Sequence, residues 1–283
     1  METWKIGRVK VSRVVEMVMP ILPTMLLPDA TPENLAPLHG WLKPHFLHDD
    51  DHVPLSIHTF IVESDGARIL VDTCIGNDKP RDFPEWNKRQ SDFLAQLAKR
   101  GAPAEAVDFV MCTHLHVDHV GWNTRRVGDR WVPTFPNARY LFGRKEWDYW
   151  KNEVDPFGRE ARDDSIVPIL ESGLAQLVEM DHVLTSEVSL VPTPGHTPGH
   201  VSVLIESAGE RAVITGDLFH HPAQFAHPTW QDVADVDTAH AARTRQTFMD
   251  RFSDGTLVLG THFPSPTGGR IVRDGKFFRF DVK

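Results

Sequence analysis

Apolar and polar positions alternate from Ser56 to Glu63, and a second apolar stretch runs from Ala67 to Asp72 beyond Ser64-Asp65-Gly66. This predicts two strands joined by a tight turn. Upstream, Val9, Val11, Val14 and Val15 spread β-branched residues through positions 4–18, an opening strand or hairpin. Val107-Asp108-Phe109-Val110-Met111 reads as a buried strand. Further strands are predicted at Arg139 to Phe142, Glu187 to Val191, His200 to Ile205, Arg211 to Thr215 and Thr256 to Leu259, with a terminal ribbon from Arg270 to Phe280. Helical spacing is confined to fewer places. Gln90 to Arg100 turns Phe93, Leu94 and Leu97 inward and stops at Gly101. Lys145 to Trp150 is short and aromatic; a charged loop over 151–164 precedes a helix around Val167 to Leu177. Asp237 to Phe252 is a helix with Asp237 as its N-cap.

Residues 19–54 fit neither period. Pro20, Pro23, Pro28, Pro32, Pro37, Pro44 and Pro54 exclude long regular elements. Met25, Leu26, Leu27, Leu35, Leu38, Trp41, Leu42, Phe46 and Leu47 make the stretch too apolar for a solvated linker. It is read as an ordered arm, either a hydrophobic wall over an active site or a core lid or dimer contact, so a homodimer stays open. No internal repeat is visible, and residues 1–283 are read as a single domain carrying this arm.

Composition narrows the function classes. With 283 residues, 41% hydrophobic and 24% charged, the chain is an ordinary globular protein able to bury a sizeable core. A net charge of −9 argues against nucleic acid as main partner. No apolar run approaches membrane-spanning length, and the N-terminus lacks the apolar core and cleavage site of a signal peptide. Cys74 and Cys112 form no CxxC pair, so free thiols in a reducing cytoplasm are expected, with Cys112 packed in the core.

The candidate chemistry sits where the 107–111 strand ends. His114, His116, Asp118 and His119 lie within six positions. Imidazole with carboxylate suits zinc, and iron or manganese with less preference. Hydrogen-bonded core histidines are the alternative, but three beside an aspartate would bury costly unpaired polar groups without a metal.

His114-x-His116-x-Asp118-His119 resembles the signature of the metallo-β-lactamase superfamily. The likeness extends through His196 in Thr193-Pro194-Gly195-His196-Thr197-Pro198-Gly199-His200, Asp217 in Thr215-Gly216-Asp217 and His262 in Gly260-Thr261-His262. It covers the chain from about Ile57 onward and implies an α/β, αββα four-layer sandwich. It also implies that His114, His116 and His196 hold one divalent ion and Asp118, His119 and His262 a second, with Asp217 bridging. Zinc is the expected metal, with cobalt, manganese or iron as alternatives. By the same resemblance Asp72 orients a ligating histidine, and Cys74 stands where the family has glycine. A hydroxide shared by the metals would be the nucleophile, and Asp118 would pass a proton to the leaving group.

Within the superfamily the secreted β-lactamases place Cys where this chain has Asp217. The motifs around 114–123, 216–225 and 260–264 are closer to N-acyl homoserine lactonases and methyl parathion hydrolases. In the lactonases a tyrosine three residues after the bridging aspartate touches the substrate carbonyl; here that position is His220, which either supplies the same hydrogen bond or is a structural histidine at a helix start. His200, His221 and His227 are read as structural. The expected function is therefore a lactonase or carboxylic esterase acting on a small molecule. The alternatives are a phosphotriester or aryl-ester hydrolase and a mononuclear iron persulfide dioxygenase. Glyoxalase-type thioester hydrolysis lacks a basic C-terminal tract.

Overall fold

The computed structural model describes residues 2–152 and 161–283. Two sheets carry the chain. The first takes Thr3–Ile6 (β1), Val9–Ile21 (β2), Val53–Ser64 (β3), Ala67–Val71 (β4) and Phe109–Met111 (β5) in spatial order. Thr124–Val127 (β6) and Arg130–Pro133 (β7) leave it as a small ribbon; Arg139–Gly143 (β8) and Ala175–Val178 (β9) complete it. The second sheet runs in chain order through Val188–Pro192 (β10), Val201–Ser207 (β11), Glu210–Ile214 (β12), Leu257–Leu259 (β13), Gly268–Asp274 (β14) and Phe277–Asp281 (β15).

The sheets pack face to face. Val11, Phe60, Val62, Ile69 and Met111 of the first meet Val188, Val203, Ala212, Ile214 and Leu259 of the second in one buried cluster. The outer face of the first sheet is covered by the helices Phe93–Lys99 and Arg144–Trp150, through Phe93, Leu97 and Trp150. The outer face of the second is covered by the helix Thr238–Phe252, through Phe248, Met249 and Phe252. Helix, sheet, sheet, helix is the layer order expected, because each sheet has two apolar faces to bury.

Sequence expectations hold for most elements and fail at instructive points. The opening hairpin is β1 and β2, but β2 continues through Pro20 to Ile21 and pairs Pro20 with Pro54 at its far end. The Pro-rich arm is therefore shorter than 19–54: residues 19–21 and 53–54 are strand. Between them lie single helical turns at Pro23–Leu26, Pro32–Leu35 and His39–Leu42, each too short to conflict with the prolines. Leu26, Leu35, Leu42, Phe46 and Leu47 are buried in the same cluster as Phe248 and Phe280, so the arm belongs to the outer layer of the second sheet.

The predicted helix over 167–177 is a π-turn at Arg162–Ile166 followed by Val167–Glu171. Gly173, at φ +74°, ends it, and Leu177 belongs to β9, parallel to β8. The ribbon β6–β7 was unexpected; its signal is Gly128-Asp129 between two strand-like runs. Of the charged loop over 151–164, residues 153–160 lie outside the described residues.

Candidate metal centre

Each motif of interest follows the C-terminal end of a strand. β4 and β5 are parallel and adjacent, and so are β12 and β13. Their C-terminal ends therefore open onto the same edge of the sandwich. β4 leads to Asp72, β5 to His114–His119, β12 to Asp217 and β13 to His262; β10 delivers His196. Turn chemistry lets the loops close tightly. Asp72 and Cys74 both adopt left-handed backbone, φ +61° and +53°, so Cys74 takes up the conformation the family reserves for glycine. Gly121 packs beneath it, its N–H donating to the Cys74 carbonyl at 2.7 Å, and a Cβ there would fall 1.8 Å from the Ile75 oxygen. A β-bulge between Val15 and Met17 turns Glu16 toward the same loop. There its carboxylate accepts from Ile75 N (2.8 Å) and Trp122 Nε1 (2.7 Å).

The side chains converge on one carboxylate oxygen. Asp217 Oδ2 lies 3.1 Å from Nε2 of His119, His262 and His220, and 3.6 Å from Nε2 of His114 and His196. His116 joins through Nδ1, 3.0 Å from His196 Nε2. Asp118 Oδ2 is 3.6 Å from His262 Nε2, and Asp118 is the most exposed of the group. Ligand-type atoms within 4.8 Å of one another form the sets His114/His116/His196, His114/His119/Asp217, Asp118/His119/His262 and His196/Asp217/His220.

The rings are held from behind. Asp72 accepts from His119 Nδ1 (2.9 Å) and from Thr113 N (2.8 Å), fixing both a histidine and the turn that carries His114. Asp235 faces His196 Nδ1 at 3.1 Å and is itself paired to the buried Arg245 at 2.6 Å. The Ser56 carbonyl accepts from His262 Nδ1 (3.0 Å). Buried Glu146 ties two loops together, accepting from Leu115 N (3.3 Å), Gly199 N (2.9 Å) and Trp150 Nε1 (2.7 Å). Sequence reading had named Asp72; it missed Asp235, Arg245 and Glu146. The one available signal was Glu146, spaced four residues from Trp150 on a helix that otherwise turns aromatics inward.

Within the cluster the electrostatics divide the groups by their distance from carboxylates. Burial works to raise the Asp217 carboxyl, but the imidazoles of His119, His262, His220 and His114 outweigh it and hold the group well below the usual range. Burial lowers His119, yet Asp217, Asp118 and Asp72 together leave it well above its ordinary value. Burial pushes His114 and His116 well below theirs. His200, by contrast, accepts the Asp217 N–H on Nε2 (2.9 Å), and burial pulls it down to about 3. His221 is likewise satisfied, by the Phe46 carbonyl (2.7 Å) and Ala223 N (3.2 Å). His227 stacks on Trp230 at 4.2 Å. Cys112 is buried beside Asn123, with Sγ 3.6 Å from Nδ2.

His114 Nε2, His119 Nε2 and Asp217 Oδ1 are buried and have no hydrogen-bond partner. Each such group costs about 1–3 kcal/mol if left so. A divalent cation among imidazole and carboxylate donors removes that cost, and the donor set is the borderline N/O mixture that zinc accepts. The residues fit a metal.

The metallo-beta-lactamase superfamily profile matches residues 52–248. Among characterised relatives, an N-acyl homoserine lactonase of Bacillus sp is 27% identical over 165 residues, covering 54% of this chain and 59% of that protein. The N-acyl homoserine lactonase AttM of Rhizobium radiobacter is 26% identical over 189 residues, 63% of this chain and 66% of AttM. The chain thus spans somewhat over half the length of the first of these relatives. In fold it is similar to AidC, a dizinc quorum-quenching lactonase solved with a product, at TM-score 0.80 and 22% identity, covering 100% of this chain and 97% of AidC. With the profile spanning most of the residues that build both sheets and the ligand loops, the chain belongs to the metallo-beta-lactamase superfamily.

Proposed function

We propose that this protein is a metal-dependent hydrolase with a dinuclear centre that opens a lactone or cleaves a carboxylic ester. The observation that carries the reading is the convergence of the sets His114/His116/His196 and Asp118/His119/His262, with Asp217 Oδ2 within 3.6 Å of members of both. Those two sets would each hold one divalent ion, most simply zinc, with Asp217 between them. Two such ions supply an activated hydroxide and polarise a carbonyl. The lactonase relatives at 26–27% identity favour acyl over phosphoryl substrates. A centre built from three ligands, as in the iron dioxygenases, leaves Asp118, His119 and His262 without a use.

The chain's own residues have separable tasks. Asp72, Asp235 and the Ser56 carbonyl keep the proton of His119, His196 and His262 on Nδ1, so that Nε2 faces inward. Asp118, the least buried member, would take up the proton of the attacking water and pass it to the leaving alkoxide. Apolar side chains stand beside the segment that orients His196: Leu22, Met25, Val233 and Val236 are all exposed, Val233 N donates to Leu26 O, and Val236 N donates to His196 O. They suit an acyl chain. Trp41 and Phe46, the arm residues first expected in this role, do not: Phe46 is fully buried against Phe263 and Phe280, and Trp41 lines a cavity of about 560 Å³ with none of the ligands.

The test is a leaving-group comparison. Asp118→Asn, assayed at full metal loading on an aliphatic lactone and a nitrophenyl ester, should lose far more turnover on the lactone. Equal losses would remove the proton role, and hydrolysis of phosphotriesters in preference to both would move the reading to phosphoryl transfer.

A further inference from the structure

His220 stands among the ligand atoms rather than behind them. Its Nε2 is 3.1 Å from Asp217 Oδ2, the same distance as Nε2 of His119 and His262. Its ring lies parallel to His262 (9°, centroids 5.5 Å apart) and tilts against His196 at 4.8 Å. On its far side, Nδ1 faces Asp232 Oδ2 at 3.6 Å. Both of those atoms are buried, and neither has a hydrogen-bond partner. His200 and His221 have both ring nitrogens satisfied by protein, whereas buried His58 is bonded only through Nδ1, to Ser56 Oγ, and faces no other imidazole-carboxylate set among the described residues.

We propose that His220 is a further metal ligand, binding through Nε2 together with His196 and Asp217, and that Asp232 is the carboxylate that fixes it in that state. This rests on the metal centre proposed above. A neutral imidazole has one proton, and a metal on Nε2 requires it on Nδ1, where Asp232 is the carboxylate placed to accept it. The lone pair on Nε2 then points at Asp217 Oδ2, and two lone pairs 3.1 Å apart repel unless a cation lies between them. An imidazolium is no alternative in the loaded protein, since it would sit against divalent ions. The pairing of ring and carboxylate is the same kind as at His119 with Asp72 (2.9 Å) and His196 with Asp235 (3.1 Å), but at 3.6 Å it is wider and not a closed hydrogen bond. One side chain holds both members in place: buried Gln224 accepts from His220 N (2.8 Å) and donates to Trp230 O (2.9 Å), two residues before Asp232. With its proton on Nδ1, His220 has none to give a substrate carbonyl. It therefore differs from the tyrosine of the lactonases in kind.

Cobalt-loaded protein tests this without reference to turnover. Imidazole N–H protons of coordinated histidines give strongly shifted, solvent-exchangeable proton NMR signals. The account predicts that His220→Ala loses one of them while the others remain. Asp232→Asn should move the same signal and weaken retention of one ion by roughly 10–100-fold in chelator competition. An unchanged signal count in His220→Ala, or in His220→Tyr should the alanine variant not fold, overturns the assignment. So does unchanged retention in Asp232→Asn. Cobalt content judges the underlying reading separately: one ion per chain would end the dinuclear centre, and the His220 signal would still report whether that ion is bound by this ring.

Discussion

Among the described residues, the buried charged side chains around Asp164 and those around Asp217 are built on opposite principles. Around Asp164 the charges satisfy one another. Lys79 Nζ donates to Thr124 Oγ1 (2.6 Å), the Asp164 carbonyl (2.9 Å) and Asp164 Oδ1 (3.3 Å), and lies 3.9 Å from the centre of the Trp131 ring. Arg81 grips the same carboxylate with two nitrogens, at 2.7 and 3.1 Å. Around Asp217 the donors all face one another, and His114 Nε2, His119 Nε2 and Asp217 Oδ1 are left unmet. The first cluster pins the 79–90 loop and the β6–β7 ribbon to the π-turn at Arg162–Ile166. The second is arranged for a cation. Burial of charge alone therefore does not mark a metal site, and neither does a single orphaned atom, since Arg81 Nε in the first cluster also lacks a partner; what sets the second apart is that its unmet imidazole and carboxylate atoms converge on one point.

The largest contrast comes from metal removal. Chelation should abolish hydrolysis and, where free metal had stood at about 1,000 times its dissociation constant, lower stability by about 4 kcal/mol. Thermal melts with and without chelator measure it; an unchanged melt would make the Asp217 cluster as self-sufficient as the other. Asp164→Ala should cost about 3–5 kcal/mol, because Arg81 and Lys79 lose their buried partner. That loss should be the same in metal-loaded and stripped protein, and dependence on metal would break the separation of the two clusters.

Asp72→Asn and Asp235→Asn should each weaken metal retention by roughly 10–100-fold with little change in the melt of stripped protein. A large fall in that melt would make these carboxylates structural. The smallest effect is expected for Lys79→Met at neutral pH, about 1 kcal/mol or less, since Arg81 still holds Asp164. Burial draws the Lys79 ammonium down to about 7 from an ordinary 10.5, against the pull of Asp164. Between those values the unfolded chain binds the extra proton, so stability should rise with pH across that window. Denaturant melts should show wild type gaining on Lys79→Met from pH 7 to 10; a parallel pH dependence would mean that Lys79 stays charged.

The same contrast explains what could be read from the sequence. The candidate metal centre was legible because its histidines and aspartates come in short local motifs, His114 to His119 above all, and because strand patterns end where the motifs begin. Asp72 was legible for the same reason. Asp235 and Asp232 were not, since they lie in a loop with no period and reach their histidines only through the fold. The Asp164 cluster joins residues 79, 81 and 164, which share no motif and meet only across the outer layer. The arm was legible as apolar and ordered, but its pattern left open whether it packs on the core, on a second copy or over the site. Phe46 and its neighbours pack onto the helix Thr238–Phe252 and the last strand, a contact between distant parts of the chain that local pattern does not encode.

The central claim is that the Asp217 cluster is a two-ion site on which turnover depends. Zinc titration of stripped protein, following lactone hydrolysis and bound metal together, tests it most directly. The account predicts that activity reaches its plateau only when two ions are bound per chain, and that Asp217→Ala never reaches it. Full activity at one ion per chain would contradict it.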